Sequence, residues 1–176
     1  MPKGPFPLDE FTPTKFSTAA DKAEFGNHFL RFIETEWAQA LFTKDFYHRL
    51  SMCFGNIAHC DRGTFYETWF TSDQDRLRFI EKTLKWPCWG DPECTFSDVE
   101  RAIQQEVRKR NYLACYQLRV AEAERASEME TLRRLETKYR APANRTDDAG
   151  ATTADLAIAA PPSPVVERTP VQANLF

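Results

Sequence analysis

The stretch TAADKAEFGNHFLRFIETEWAQAL, residues 18–41, decides the fold. Phe25, Phe29, Phe32, Ile33, Trp37 and Leu41 recur at steps of three and four, the spacing that aligns side chains on one face of an α-helix. Glu24, Asn27, Arg31 and Glu34 fall on the opposite face, as on a helix with one side in water. Thr18 followed by Asp21 has the form of a capping box, in which each side chain satisfies a backbone N–H that the first turn leaves open. The spacing therefore predicts an amphipathic helix that carries its apolar face as far as Leu41.

The same period continues downstream. After Thr43, the residues Phe46, Leu50, Cys53, Phe54 and Ile57 hold helical spacing, and Gly63 is expected to close the segment. The short link predicts antiparallel packing, with Phe25 to Trp37 meeting Phe46 to Ile57. Thr64 with Glu67 and Ser72 with Asp75 form two further caps. They open a short turn (Phe65, Trp69, Phe70) and then a helix with Leu77, Ile80 and Leu84 inward. Pro87 stops that helix, and WPCWGDPEC, residues 86–94, reads as a rigid connection rich in turns. From Ser97, capped by Glu100, to about Arg140 there is no Gly or Pro. One unbroken helix over that stretch would be about 65 Å long. Its first half keeps an apolar stripe (Val99, Ile103, Val107, Ala114, Leu118, Ala121), whereas residues 122–140 are charge-dense. Met129, Leu132, Leu135 and Tyr139 form only a thin seam there, a candidate oligomerisation surface for a homodimer. Glu106 with Arg110, Glu130 with Arg134 and Glu136 with Arg140 are i,i+4 pairs worth about 0.3–0.5 kcal/mol each.

The expected fold class is all-α, a compact helical domain at 17–140 with a long C-terminal helix. Before it, residues 1–16 interleave Pro2, Pro5, Pro7 and Pro13 with Phe6, Phe11 and Phe16, which excludes helix and predicts an extended arm lying along the body. After it, residues 141–170 turn to Ala, Thr, Pro and Asp with a PPSP run at 161–164, the composition of a disordered linker.

Composition narrows the function classes. Aromatic residues make up 13% of the 176, with 14 Phe and 4 Trp against 6 Gly, so the chain can fill one heavily packed core. A net charge of −3 announces no global field for nucleic acid or an anionic membrane. No run is long and apolar enough to span a bilayer, and MPKGPFPLDEF lacks the apolar segment of a signal peptide, so a cytoplasmic protein is expected. Five cysteines at irregular spacing fit reduced thiols better than a disulfide framework.

Chemistry-bearing residues are sparse. His28, His48 and His59 stand apart, and Cys60 between His59 and Asp61 is not read as a nucleophile, because adjacency in sequence does not place a base. His59, Cys60, Cys88 and Cys94 are the candidate metal ligands, but five residues separate Cys88 from Cys94 where zinc sites usually have two to four. No cofactor is expected. Arg108, Lys109 and Arg110, then Arg133, Arg134, Lys138 and Arg140, alternate with glutamates, the pattern of a solvated face and not of a nucleic-acid groove. Trp69, Trp86 and Trp89 would be stacking platforms if nucleic acid did bind, and are otherwise core.

Residues 172–176, QANLF, resemble the QxxLF peptide by which many bacterial replication and repair proteins dock on the DNA polymerase sliding clamp. The resemblance implies that the Gln172 amide enters the polar part of the clamp pocket while Leu175 and Phe176 fill its apolar part. Ala173 stands where leucine is often found. No downstream aromatic follows, as one does in peptides for archaeal and eukaryotic clamps, so a bacterial, phage or plasmid setting suits it better. The expected function is a non-enzymatic adaptor or modulator of DNA replication or repair. The alternatives are a helical oligomerising protein whose apolar tail is incidental, and a small metal-binding helical protein.

Overall fold

A computed structural model describes residues 4–140. The expected linker at 141–170 and the motif at 171–176 lie outside the described residues. The chain divides into two units, Met1–Arg134 and Leu135–Phe176. Among the described residues every regular element is helical: α1 (Ala19–Glu34), a short 3-10 turn (Gln39–Leu41), α2 (Lys44–Met52), α3 (Arg62–Phe70), α4 (Asp73–Lys85), α5 (Ser97–Lys109) and α6 (Tyr112–Arg140).

Helix α1 begins at the expected capping box: the Asp21 N–H donates to the Thr18 hydroxyl, and the Asp21 carboxylate accepts from the Thr18 N–H. Its buried face presents Phe25, Phe29, Leu30, Phe32 and Ile33. Helix α5 packs against it with Val99, Ile103 and Val107, all buried. Gly26 keeps the helix surface low here, since a Cβ would lie 2.8 Å from the Phe6 ring and 3.4 Å from Val99. Phe6 and Phe11 are buried edge to face, and Asn27 clamps the backbone of Phe6 at both its N–H and its carbonyl. Phe16 is exposed.

The first departure from expectation is Trp37. Helix α1 ends at Glu34, and Glu36 and Trp37 follow with φ of 54° and 60°. Those are left-handed values rare for a bulky side chain. The Thr35 hydroxyl turns back onto the Arg31 and Phe32 carbonyls, and the Trp37 N–H closes on the Phe32 carbonyl at 2.8 Å. The tight turn drops the indole into the core, fully buried, stacked on Phe70 at 5.0 Å and edge-on to Phe32 and Phe79.

Helix α2 stops at Met52, not near Ile57, because Phe54 and Gly55 take positive φ. That turn buries Phe54 and leaves Ile57 exposed, so Ile57 is not in the core. Gly63 does not close α2; it sits in the first turn of α3, whose N-cap is Asp61, accepting from the Thr64 N–H at 3.1 Å, rather than Thr64. The Ser72–Asp75 cap of α4 is as expected. Ser97 is not an N-cap: it is buried within the first turn of α5 and donates its hydroxyl to the Gly90 carbonyl.

The second departure is the break in the expected long helix. Helix α5 ends at Lys109, Asn111 adopts φ of 56°, and α6 starts afresh at Tyr112. Asparagine tolerates the left-handed region better than any residue but glycine, so the chain turns without either sequence breaker. The turn resets the helical phase. Ala114 and Leu118 of the expected stripe are exposed, whereas Leu113, Tyr116 and Val120 pack on the core. Tyr116 is the one buried residue of α6, and its hydroxyl oxygen accepts from Trp37 Nε1–H at 2.6 Å.

Trp37→Ala is expected to cost about 3–5 kcal/mol, from the cavity it opens and the hydrogen bond it removes. Urea unfolding followed by circular dichroism measures it, and a loss below about 1 kcal/mol would show that the indole is not the centre of the core.

Candidate functional site: a basic groove on helix α4

Helix α4, DQDRLRFIEKTLK, buries Leu77, Phe79, Ile80 and Thr83. Its other face carries Arg78, Lys82 and Lys85 at i, i+4 and i+7, one stripe of a helix. With Glu81 and Trp86 they line an open groove of about 380 Å³. Trp69, half-buried on α3, lies under the cations, 5.8 Å from the Arg78 guanidinium and 5.2 Å from Lys82 Nζ. Lys82 Nζ also donates to the Gly55 carbonyl at 3.2 Å. Gly55 is required there twice over: its φ is 63°, and a Cβ would meet the Trp86 ring at 2.6 Å.

Behind the groove a set of buried polar side chains fixes its wall. The Glu100 carboxylate, from α5, accepts from the Trp86 Nε1–H at 2.7 Å and from the Phe54 N–H at 3.2 Å, joining the loop after α2 to the end of α4. The Gln104 amide donates to the Thr83 and Trp86 carbonyls, and Arg108 donates to the Leu84 carbonyl. These carbonyls lie at the C-terminus of α4, where intrahelical donors run out and Thr83 keeps only the Trp86 N–H, so α5 caps α4 with its side chains. Asn56, next to Gly55, is buried with neither amide atom hydrogen-bonded within the described residues.

Burial dominates the electrostatics. It holds Lys82 below the usual lysine range and pushes Glu100 above the usual glutamate range against the pull of its two N–H donors. Burial, with Glu100 second, raises the Cys53 thiol and pushes Cys88 up to about 11, so neither is a thiolate nucleophile near neutral pH. Arg78 is paired with Asp75, and Lys85 lies 3.7 Å from Glu81, whereas Lys82 has no ion pair among the described residues. The groove is thus equipped to hold an anion beside an aromatic wall.

The residues singled out in the sequence are placed as follows. Gln172, Leu175 and Phe176 lie outside the described residues. Met129, Leu132, Leu135 and Tyr139 are exposed on α6, at 41–69% of their full accessibility. His59, Cys60 and Cys94 are exposed, Cys88 is buried, and among the described residues no three His, Cys, Asp or Glu side chains converge to hold a metal. All five cysteines are free. His28 bonds the Leu41 carbonyl through Nε2 and stacks on Phe46. Lys109 and Arg110 are paired with Glu106, and Arg110 also with Glu34. Of the tryptophans, Trp69 and Trp86 are half-buried and Trp89 is 71% exposed. The sequence reading missed Arg78, Lys82 and Lys85; their i, i+4, i+7 spacing one residue before a tryptophan was the available signal.

Fold and groove together define an all-α protein with a positively charged surface cleft. Comparison with family models, curated proteins and solved structures returns no match. Among the described residues no helix is long and apolar enough to cross a membrane.

Glu100→Gln is the informative substitution in the wall. Glutamine offers one acceptor where the carboxylate serves two donors, and turns its own NH₂ toward the other N–H. A loss of about 1–3 kcal/mol is expected in chemical denaturation; an unchanged midpoint would mean that Glu100 does not tie the loop to α4.

Proposed function

We propose that this chain is a non-enzymatic adaptor or modulator of DNA replication or repair, in a bacterial, phage or plasmid setting. It docks on the sliding clamp through Gln172, Leu175 and Phe176. The observation that carries the reading is the sequence QANLF itself, set after a proline- and alanine-rich stretch that follows the helical body. Two further features support it: most phenylalanines of the folded part fill its own core, and the free cysteines suit a reducing, cytoplasmic compartment.

Leu175 and Phe176 supply nearly all the apolar area of the motif, about 1.5–3 kcal/mol each on full burial, against which stands the cost of ordering the peptide. A peptide spanning residues 170–176 is expected to bind a bacterial sliding clamp in calorimetry and to compete with an established clamp peptide. Replacing both Leu175 and Phe176 by alanine abolishes binding. No heat and no competition, or equal binding by the double-alanine peptide, would sink the assignment.

A second reading rests on a separate observation, the exposure of Met129, Leu132, Leu135 and Tyr139 at steps of three and four on α6. Such a seam fits a second copy of the same helix. The chain is then a homodimer carrying two motifs, which raises their effective concentration at a ring with equivalent pockets. Light scattering is expected to give twice the chain mass, and Leu132→Glu with Leu135→Glu to halve it. A monomer at high concentration before any substitution would remove the dimer.

A further inference from the structure

The face of α4 from Arg78 to Lys85 carries more positive charge than it pairs. Of the four charged residues lining the groove, only Glu81 is acidic, and its nearest cation is Lys85. Lys82 has the opposite problem to a surface lysine. Its ammonium lies over the Trp69 ring, 5.2 Å from the centroid, and meets a carbonyl, not a carboxylate. A partly desolvated cation without an anion is stabilised by any anion that enters.

Single-stranded nucleic acid matches this chemistry, and we propose that the groove binds it, with phosphates held by Arg78, Lys82 and Lys85 and a base laid against Trp86. Two physical points favour this ligand over an acidic peptide. The aromatic wall is used by a base and left idle by a row of carboxylates. The spacing also fits: seven residues of helix carry the stripe from Arg78 to Lys85 over about 10 Å, which spans about two successive phosphates of a single strand. A duplex is disfavoured because its bases are stacked on one another and cannot reach Trp86.

The test is fluorescence anisotropy of a labelled oligothymidylate with the full chain, no clamp present, so that its result is independent of the clamp reading. With about two phosphates engaged on a single strand, affinity falls roughly sevenfold between about 50 and 200 mM salt. Arg78→Gln with Lys85→Gln, both at exposed positions, weakens binding about tenfold at the lower salt while helical circular dichroism and the thermal midpoint stay unchanged. Bound oligonucleotide quenches tryptophan fluorescence, the readout that a purely ionic contact would not give. The proposal is overturned by no binding at the lower salt, by equal binding of the double variant, or by a polyglutamate peptide competing as well as the oligonucleotide does.

Discussion

The hydrogen bond from Trp37 Nε1–H to the Tyr116 hydroxyl, 2.6 Å long and buried, is the contact on which the arrangement of the helices depends. An indole can be stacked among Phe32, Phe70 and Phe79 only if its N–H is satisfied, since a buried donor without a partner costs about 1–3 kcal/mol. Tyr116 meets that need from α6, and donates its own O–H outward to the Glu36 carboxylate at 3.3 Å. Arg119 grips the same carboxylate with two N–H groups, at 2.7 and 2.9 Å, and holds Glu36 below the usual glutamate range. A polar relay thus runs from the core to the surface. It explains two of the left-handed turns: the one at Glu36 and Trp37 presents the indole and the carboxylate together, and the one at Asn111 brings Tyr116 and Arg119 to meet them.

A second buried polar contact organises the other side of the core. Lys22 is fully buried, yet its ammonium reaches both oxygens of Asp98 at 2.9 and 3.2 Å and the Pro92 carbonyl at 2.7 Å, with the Phe96 ring 5.5 Å away. Taking two charges out of water costs several kcal/mol per ion before their attraction is counted, so such a pair is poor evidence of net stability. Its effect is positional. Phe96, at the end of the loop between α4 and α5, packs edge-on against Phe25, and Lys22 fixes the Pro92 carbonyl earlier in the same loop. Glu100 acts likewise on the loop after α2, tying the Phe54 N–H to the Trp86 indole that lines the groove.

The sequence made the helical class and most of the core legible because apolar spacing is a local signal. Phe25, Phe29, Phe32 and Ile33, then Phe46 and Leu50, then Leu77 and Ile80, are buried where the period puts them. It failed where a residue satisfies the period by coincidence. Trp37 lies four residues after Ile33 and reads as the next turn, although it reaches the core from a left-handed turn. Asn111 carries no breaker signal comparable to Gly or Pro, so the helix break and the phase of α6 were hidden. Glu100, placed three residues after Ser97, imitates a capping box, yet its carboxylate is spent on Phe54 and Trp86. The groove was illegible for a further reason: Gly55, Trp69, Lys82 and Trp86 come from three segments, and only the fold juxtaposes them.

The two proposed activities suit each other in magnitude. The chain is net acidic, −3, so its overall field repels a nucleic-acid strand, and only the screening length of about 8 Å at physiological salt lets a local patch act alone. A patch that grips about two phosphates is weak as a free binding site, because each contact is lost with salt. Held on a clamp that encircles DNA, the same groove would meet nucleic acid at the effective concentration set by its connection, in the millimolar range for a short flexible link. A weak groove is then useful where a tight one would be harmful, since a tight site would sequester the chain on any exposed strand away from the clamp. On this reading the clamp motif sets where the protein acts, and the face of α4 engages the strand only once it is there.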